Sequence, residues 1–553
     1  MTEIPKYTDL PRDFHLLIGE HLVADKTVHH PPRYFDTPPS GIEQLLRLTG
    51  SKSARFIGEK GPSVAALAYG SLDKPKRLSR IKSWRLSRQT PPPPEHLRLY
   101  EVVFGRDSLR VAIELIGSYP ELARSTTLRL AQLQGVEYNQ EREEEPGRIL
   151  HEARDKNDQR AQQISEQLGW GWPYYGSVDA TPEFVRTLTA YCRRSEENYR
   201  FLSTTFTDRS GQKRDMAYAL DMALAWIINR LDSNNEGLLE YQSVLPHGIE
   251  NQVWKDSPDA YHHSDGTIAN HHKGIASIEV QVTAYDALID AADLYAHAYD
   301  DQVQSRKFRA RAEELGRTIL DTFWTNDKDG YFVLGTDRDD NNRLRQLKIR
   351  TSNMGHVLNS RLLEGEDSEL LHKREAVIRH LLSPEMLNIS GIRTLATDEV
   401  RFRAGAYHNG TVWLWDTHHI ARGLRRHGHE DAANELDRRM LHVIEVTKLF
   451  PEYVRGGDDL LPRINEHTIV VWDDKMQREM TIEQPPQEVQ AWTVAAILAI
   501  KKRIDRDGRA SQGALEKLSE RLQKAAKLPR ELSSQLTVKP LKKRLKKYRR
   551  NNK

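Results

Sequence analysis

Three aspartates and a tryptophan crowd one short run, NQVWKDSPDAYHHSDG at residues 251–266: Trp254, Asp256, Asp259 and Asp265. A tryptophan two residues from a carboxylate suits sugar chemistry. The indole covers the apolar face of a pyranose ring, and the acid reaches the ring's edge. One carboxyl group does not hydrolyse a glycoside, because the scissile bond needs a second one across from the first. Read without that second group, the run is equally a solvated, Asp-rich loop capping the next helix.

Further polar and aromatic clusters are spread along the chain: FGRDS (104–108), WPYYGSVDATP (172–182), EVQ (279–281), SNMGH (352–356), YHNGTVWLWD (407–416) and PQEVQAW (486–492). Arg106 and Asp107 have the chemistry to hydrogen-bond sugar hydroxyls, although Asp107 also fits the acidic first turn of a helix. Tyr175 and Asp179 read as a sugar-contacting loop, and Asp179 equally as the cap of a helix entered through Pro182. Glu279, Gln281 and His356 are polar residues inside helical patterns and are expected to contact the substrate. Tyr407, His408, Asn409 and Trp413 combine hydrogen-bonding and stacking groups in one turn, as a pyranose pocket requires. Gln490 and Trp492 begin a helix whose other residues are core-like, so Trp492 divides evenly between pocket and core. The acidic run EEEPGRILHE (143–152) reads by default as a solvated face.

These clusters must be positioned by helices. From about residue 96 to 504 the apolar residues recur every three or four positions, as in Met216, Leu220, Leu224, Ile227 and Leu231, or Phe308, Ala312, Leu315, Ile319 and Phe323. Similar spacing runs over 107–118, 120–134, 182–203, 274–298, 353–363, 367–382, 410–426, 429–449 and 487–504. Strand alternation is scarce apart from GYFVLG near Tyr331 and a hairpin formed by HTIVVWDD and REMTIEQ. Helices in antiparallel pairs joined by irregular polar loops fit a closed all-α toroid. The clusters lie at the start of alternate helices, so in such a toroid they converge on one funnel at the N-terminal ends of the inner ring.

In their order, FGRDS, EEEPGRILHE, YYGSVDATP, NQVWKDS with SDG, EVQ, SNMGH, GIRTLATDE (391–399), YHNGTVW and FPEY (450–453) resemble the bacterial amylo-α-1,6-glucosidases, the glycogen-debranching-enzyme-like proteins among the inverting (α/α)6-barrel glycosidases. The resemblance covers about residues 100–500. It implies an (α/α)6 catalytic domain (six-hairpin glycosidase) that hydrolyses an α-glucosidic bond, with Asp256 as general acid and Glu452 of FPEY as general base. It implies no cofactor and no metal, only water as second substrate. For inversion the two carboxyl groups should stand roughly 6.5–9.5 Å apart. The acid's pKa must be raised by burial or neighbouring carboxylates, for which Asp259 is a candidate. Taken alone Glu452 is a surface glutamate at a helix end, and Glu483 and Glu488 compete with it as base.

The chain departs from the family in ways that narrow the substrate. Only about 95 residues precede the barrel where the family often carries a large β-rich domain. VRGGDDLLPR and a hairpin follow FPEY, and Pro258 stands where glycine is common. An α-linked oligosaccharide or a small glucoside is expected in place of a branched polymer. A glycoside of the glucosylglycerate or mannosylglycerate type is the alternative within the same chemistry. A toroid that binds carbohydrate without catalysis is the alternative outside it.

Composition frames these readings. The chain has 553 residues, 38% hydrophobic and 29% charged, with a net charge of +3. That balance argues against a nucleic-acid-binding protein as a whole. Residues 1–95 read as an irregular, Pro-rich extension and linker, 96–504 as the catalytic domain, and 505–553 as a basic helix and tail ending LKKRLKKYRRNNK. The tail is either solvated or an electrostatic contact to an anionic surface. A single cysteine, Cys192, allows no internal disulfide. The N-terminal sequence lacks the pattern of a secretory signal, and the longest apolar runs are far short of a membrane span, so a soluble, cytoplasmic protein is expected. His262, His263, His271 and His272 lack zinc-ligand spacing, and no P-loop, GxSxG or dinucleotide fingerprint occurs.

Overall fold

The computed structural model describes residues 102–154, 159–447, 449–464, 469–473, 478–482, 486–487, 490–504 and 506. The N-terminal extension, the basic tail, Glu483 and Glu488 lie outside the described residues. The chain divides into two compact units, one ending at Leu498 and one beginning at Ala499, and the ring of helices belongs to the first.

Its helices are α1 (Gly105–Leu115), α2 (Pro120–Gln132), α3 (Gln159–Leu168), α4 (Ala180–Arg194), α5 (Met216–Leu231), α6 (Ile278–Ala298), α7 (Gln302–Phe323), α8 (Met354–Asn359), α9 (Ser368–Leu381), α10 (Leu414–Arg426) and α11 (Glu430–Thr447), followed by α12 over 491–504. Helices α1, α4, α6, α8 and α10 pack side by side in that order, and each packs against the next helix in an outer ring: α2, α5, α7, α9 and α11. Trp492 on α12 stacks on Trp415 of α10 at 5.1 Å. His418 and Arg422 of α10 reach Glu114 of α1 at 2.9 and 2.8 Å. Six inner and five outer helices among the described residues thus form the double ring of an (α/α)6 toroid.

Sequence decides which helix goes where. In α6 fifteen residues are buried, including Ala284, Ala287, Ala291 and Ala292, as an inner helix with neighbours all round requires. Helix α7 buries a single stripe, Ser305, Ala312, Leu315, Gly316, Ile319 and Phe323, and turns its charged face outward. The two rings also begin differently. Asp215, Asp301 and Asp367 cap the outer helices α5, α7 and α9 by accepting backbone N–H bonds. Inner helices α1, α4, α6, α8 and α10 begin at Phe104, Asp179, Ser277, Asn353 and Trp413, none of which caps with its side chain. Their first N–H groups stay available to the loops above, and the positive ends of five helix dipoles gather at one face.

The strands are short. β1 (Val103–Phe104) pairs with β2 (Glu152–Ala153) and delivers the chain into α1. Gly105 is needed at that junction, because a Cβ there would meet the Leu150 carbonyl at 2.1 Å. β3 (Thr411–Val412) pairs with β4 (Val454–Arg455). Just beyond the pair the backbones of Gly410 and Gly456 touch, and a Cβ on Gly456 would lie 1.8 Å from the Gly410 carbonyl. The expected hairpin forms between Ile469–Asp473 and Arg478–Ile482. Two expected helices are shorter than their apolar spacing: 182–203 stops at Arg194, and 353–363 stops at Asn359 before a 3-10 turn. Helix α3 has no counterpart in the sequence reading.

Candidate active site

The start of α1 points a guanidinium into the mouth of the ring. Arg106 is 5% exposed and meets three carboxylates: Asp179 at 2.9 Å, Asp256 at 3.6 Å and Asp107 at 3.7 Å. Burial opposes the cation, but the three acids outweigh it and raise its pKa. Asp179 occupies the N-cap position of α4, yet its side chain serves Arg106 and the Ser177 hydroxyl (2.6 Å) and does not cap the helix. The cap reading of Asp179 therefore fails, and its carboxylate belongs to the charge cluster around Arg106.

Asp256 sits at the open edge of this cluster, with 33% of its side chain exposed. Burial raises its pKa to about 7 against the pull of Arg106, and Asp107 and Asp179 push the same way. These two, not Asp259, are the neighbouring carboxylates. Asp259 is held instead by Asn409, whose Nδ2 donates to its backbone carbonyl (2.8 Å) and its Oδ2 (3.1 Å). Asp107 itself is raised to about 6 by burial.

Glu452 lies in the same electrostatic neighbourhood. Its backbone N–H donates to the Gln487 carbonyl at 2.9 Å. Gln490 N–H binds the Phe450 carbonyl and Thr493 Oγ1 the Pro451 carbonyl, each at 2.8 Å, so the start of α12 holds the loop. The carboxylate is 4% exposed, and each oxygen accepts one bond, Oε1 from the Tyr407 hydroxyl and Oε2 from the Gln487 N–H. Burial raises its pKa to about 7, opposed by those two donors and reinforced by Asp256 and Asp107. The surface-glutamate reading of this residue fails on burial alone.

One turn ties the two halves together. Tyr407 donates to Glu452, His408 Nδ1 lies 2.9 Å from the Ser257 hydroxyl, and Asn409 holds Asp259. Lys255, 1% exposed, donates to the Thr394 carbonyl at 2.6 Å and pins the loop carrying Asp256 from behind. Burial lowers its pKa to about 7 against Asp416 and Glu279. Neither Lys255 nor Thr394 stood out as a positioning residue in the sequence, although both lie inside motifs that did, NQVWKDS and GIRTLATDE.

Several expected sugar contacts are placed otherwise. Trp254 is 3% exposed. One face stacks on His356 (9° between planes), and Trp413, Trp415 and His408 pack edge-on around it, so no open face covers a pyranose ring. His356 is bound to Asp416 at 2.6 Å beneath that stack. Trp413 is 1% exposed and holds the 407–411 turn through its indole N–H. Tyr175 donates to the Leu133 carbonyl and accepts from Arg209, far from a sugar-contacting role. Gln281 makes paired bonds with the backbone of Leu239 (2.9 and 3.0 Å), and Glu279 accepts from Tyr261 and Ser277. These residues build the wall of the site. Gln490 does reach it, through a hydrogen bond to Asp107. Trp492 packs on Trp415 and Trp413 as part of the floor.

The run EEEPGR is not a solvated face. Glu143 and Glu144 are 4% and 2% exposed. Glu143 accepts from Gln252 and from the backbone N–H of Val244, while Arg148 donates to Gln252 Oε1 at 2.7 Å. This network anchors the start of the loop that carries Asp256. His263 and His271 hold Asp337 and Asn251, and His262 bonds the His263 carbonyl. Among the described residues no group of three or more His, Cys, Asp or Glu side chains is placed to hold a metal ion, and no helix is long and apolar enough to cross a membrane.

A family model described as the mannosylglycerate hydrolase MGH1-like glycoside hydrolase domain matches residues 177–460, just over half of the chain. A comparison with curated proteins finds no match. Two solved structures of GH63 mannosylglycerate hydrolase from Thermus thermophilus, one in complex with Tris and D-glycerate and one with Tris, are each 14% identical over 75% of this chain and 97% of that one, with TM-scores of 0.42 and 0.39. At those scores the likeness to the two structures is distant.

Proposed function

Since the chain belongs to the mannosylglycerate hydrolase MGH1-like glycoside hydrolase family, we propose that it hydrolyses a small glycoside by inversion, with Asp256 as general acid and Glu452 as general base. The observation that carries this reading is the different treatment of two acids in one charge cluster. Both are pushed up to about 7 by burial, and each feels the same Asp107. Carboxyls coupled in this way share protons as a pair and titrate in two macroscopic steps. Glu452 has a donor on each oxygen, which favours its ionised form. We assign the proton to Asp256, against the pull of Arg106, because it stands at the open edge where a leaving oxygen would arrive. Glu452, ionised and buried, is left to take a proton from water on the far side of the sugar.

The family supports a sugar joined to a small hydroxy acid, of the mannosylglycerate or glucosylglycerate type, over the branched α-glucan that the debranching-enzyme resemblance implied. The test is sugar release from mannosylglycerate and glucosylglycerate, with isomaltose, panose, maltose and limit dextrin alongside, comparing wild type with Asp256→Asn. Release from the glycerate glycosides alone, lost in the variant, supports the reading. Glucose from isomaltose or panose restores the α-1,6-glucosidase reading. Unchanged release in Asp256→Asn removes this residue as the acid.

A further inference from the structure

Asp256 does not set its own direction. It lies 3.6 Å from Arg106, too long for a hydrogen bond, and 33% of its side chain is exposed. The residues on either side of it are clamped. Lys255 donates to the Thr394 carbonyl at 2.6 Å. The Ser257 carbonyl accepts from Asn251 Nδ2 at 2.8 Å and from the Ala260 N–H at 3.0 Å. The Ser257 N–H and hydroxyl both face His408 Nδ1, at 3.3 and 2.9 Å.

These last two bonds place the proton on His408. A backbone N–H only donates, so Nδ1 must accept, and the Ser257 hydroxyl donates to it as well. The ring is then neutral, with its proton on Nε2. An imidazolium would lose both bonds to Ser257. Burial opposes that charge, and Lys255 and Arg106 add to it, holding the imidazole well below its ordinary pKa. Nε2 has no hydrogen-bond partner among the described residues. Packing fixes the ring instead: it is 1% exposed, stacked on Trp413 at 5.2 Å and edge-on to Trp254 at 5.5 Å. Nδ1 is therefore a stationary acceptor. Tyr407, the residue before it, binds Glu452. Two consecutive residues of one turn thus address the two carboxyls, Tyr407 directly and His408 through the residue next to Asp256.

We propose that His408 is a positioning residue for the general acid: its unprotonated Nδ1 holds Ser257 and so sets the direction from which Asp256 meets the leaving oxygen. This rests on the reading of Asp256 as the acid, and it replaces the expectation that His408 contacts the sugar.

Two substitutions divide what the ring does. His408→Phe keeps a ring on Trp413 and removes the acceptor. His408→Asn places Oδ1 where Nδ1 stood and removes the ring. Ser257→Ala deletes one of the two donors and leaves the ring alone. The full-length proteins are assayed at pH 7 on the alkyl glycoside that wild type hydrolyses best and on α-glucosyl and α-mannosyl fluoride, whose fluoride departs with little help from an acid. His408→Phe should lower kcat on the alkyl glycoside by about thirtyfold or more, with KM within about threefold, and kcat on the fluoride by less than about threefold. Ser257→Ala should show the same selectivity with a smaller loss, about fivefold. His408→Asn should recover most of the turnover lost in His408→Phe, although its Tm falls. A KM raised about tenfold or more in both His408 variants would make the residue a sugar contact. Equal losses on both probes, or losses that follow Tm across the variants, would make it structural. Either result overturns the proposal, and if His408→Phe does not fold, Ser257→Ala still decides it. Asp256→Asn is measured alongside. Equal impairment of Asp256→Asn on both probes removes the acid itself and the proposal with it. A defect of Asp256→Asn confined to the alkyl glycoside, with His408→Phe and Ser257→Ala lacking that selectivity, rejects the positioning role alone.

Discussion

The Tyr407 hydroxyl donates to Glu452 Oε1 from a turn whose next two residues grip the loop of Asp256. Tyr407→Phe should therefore act on the proton balance as well as on position. Loss of the donor raises the Glu452 pKa further, because the bond stabilises its charged form. The acid limb of the kcat/KM profile should move to higher pH by about one unit, and kcat at pH 7 should fall about tenfold or more. A pH–rate profile checks this, and an unmoved acid limb rejects the base assignment.

Turnover itself should follow both carboxyls. Asp256→Asn and Glu452→Gln should each cut kcat by about 10²–10⁴ while far-ultraviolet circular dichroism is unchanged. Glu483→Gln and Glu488→Gln should stay within about twofold of wild type. A nearly silent Glu452→Gln with a dead Glu488→Gln would move the base to Glu488. Proton NMR of the first sugar released should show the anomer opposite to that of the substrate.

Stability should run against activity as pH rises. Asp256 and Glu452 have folded-state pKa values near 7, above the unfolded values near 4. Folding with raised carboxyl pKa values is most favoured below about pH 4, where both states are protonated, and loses that advantage as pH climbs through 7 and the buried groups ionise. An amide at 256 does not ionise. The difference in Tm, Asp256→Asn minus wild type, should accordingly grow from pH 5 to pH 8, by only about 2 °C because water reaches one-third of this side chain. A difference that is flat or falls with pH would contradict the raised pKa.

Gln281 separates wall from pocket. Both ends of its amide are bonded to Leu239. Gln281→Ala should lower stability by about 2 kcal/mol, through an unsatisfied buried N–H and carbonyl, and leave KM within about twofold. A KM raised tenfold with an unchanged Tm would restore it as a sugar contact.

Much of this was legible in the sequence, and the exceptions share a cause. Helix periodicity located the inner and outer rings, since the stripe of α7 and the all-round burial of α6 are both written in residue order. Motif order singled out Arg106, Asp256, Tyr407 and Glu452, of which Arg106 lies against Asp256 and Tyr407 against Glu452. What residue type did not reveal was direction. Trp254 and Trp413 look like sugar platforms, but one inner ring must bury several tryptophans, and these stack on histidines of their own chain. Glu143 and Glu144 look solvated because a run of acids usually is, but Ser243, the Val244 N–H and Gln252 donate to the Glu143 carboxylate, and Arg142 next door and the distant Arg209 pair with Glu144. Lys255 resembles a surface lysine until the Thr394 carbonyl, 139 residues away, is seen to receive it.

The uneven capping of the two rings has a consequence for how such a protein diversifies. Outer helices α5, α7 and α9 are closed by aspartates of their own, so their ends do not depend on what the mouth of the ring contains. Inner helices begin without such closures, and their first turns are where Arg106, Asp107 and Asp179 sit. Variation in specificity can thus accumulate at the inner starts while the outer starts keep the fold intact. Replacing Asp215, Asp301 or Asp367 by alanine should in each case lower stability by about 1 kcal/mol and leave turnover unchanged.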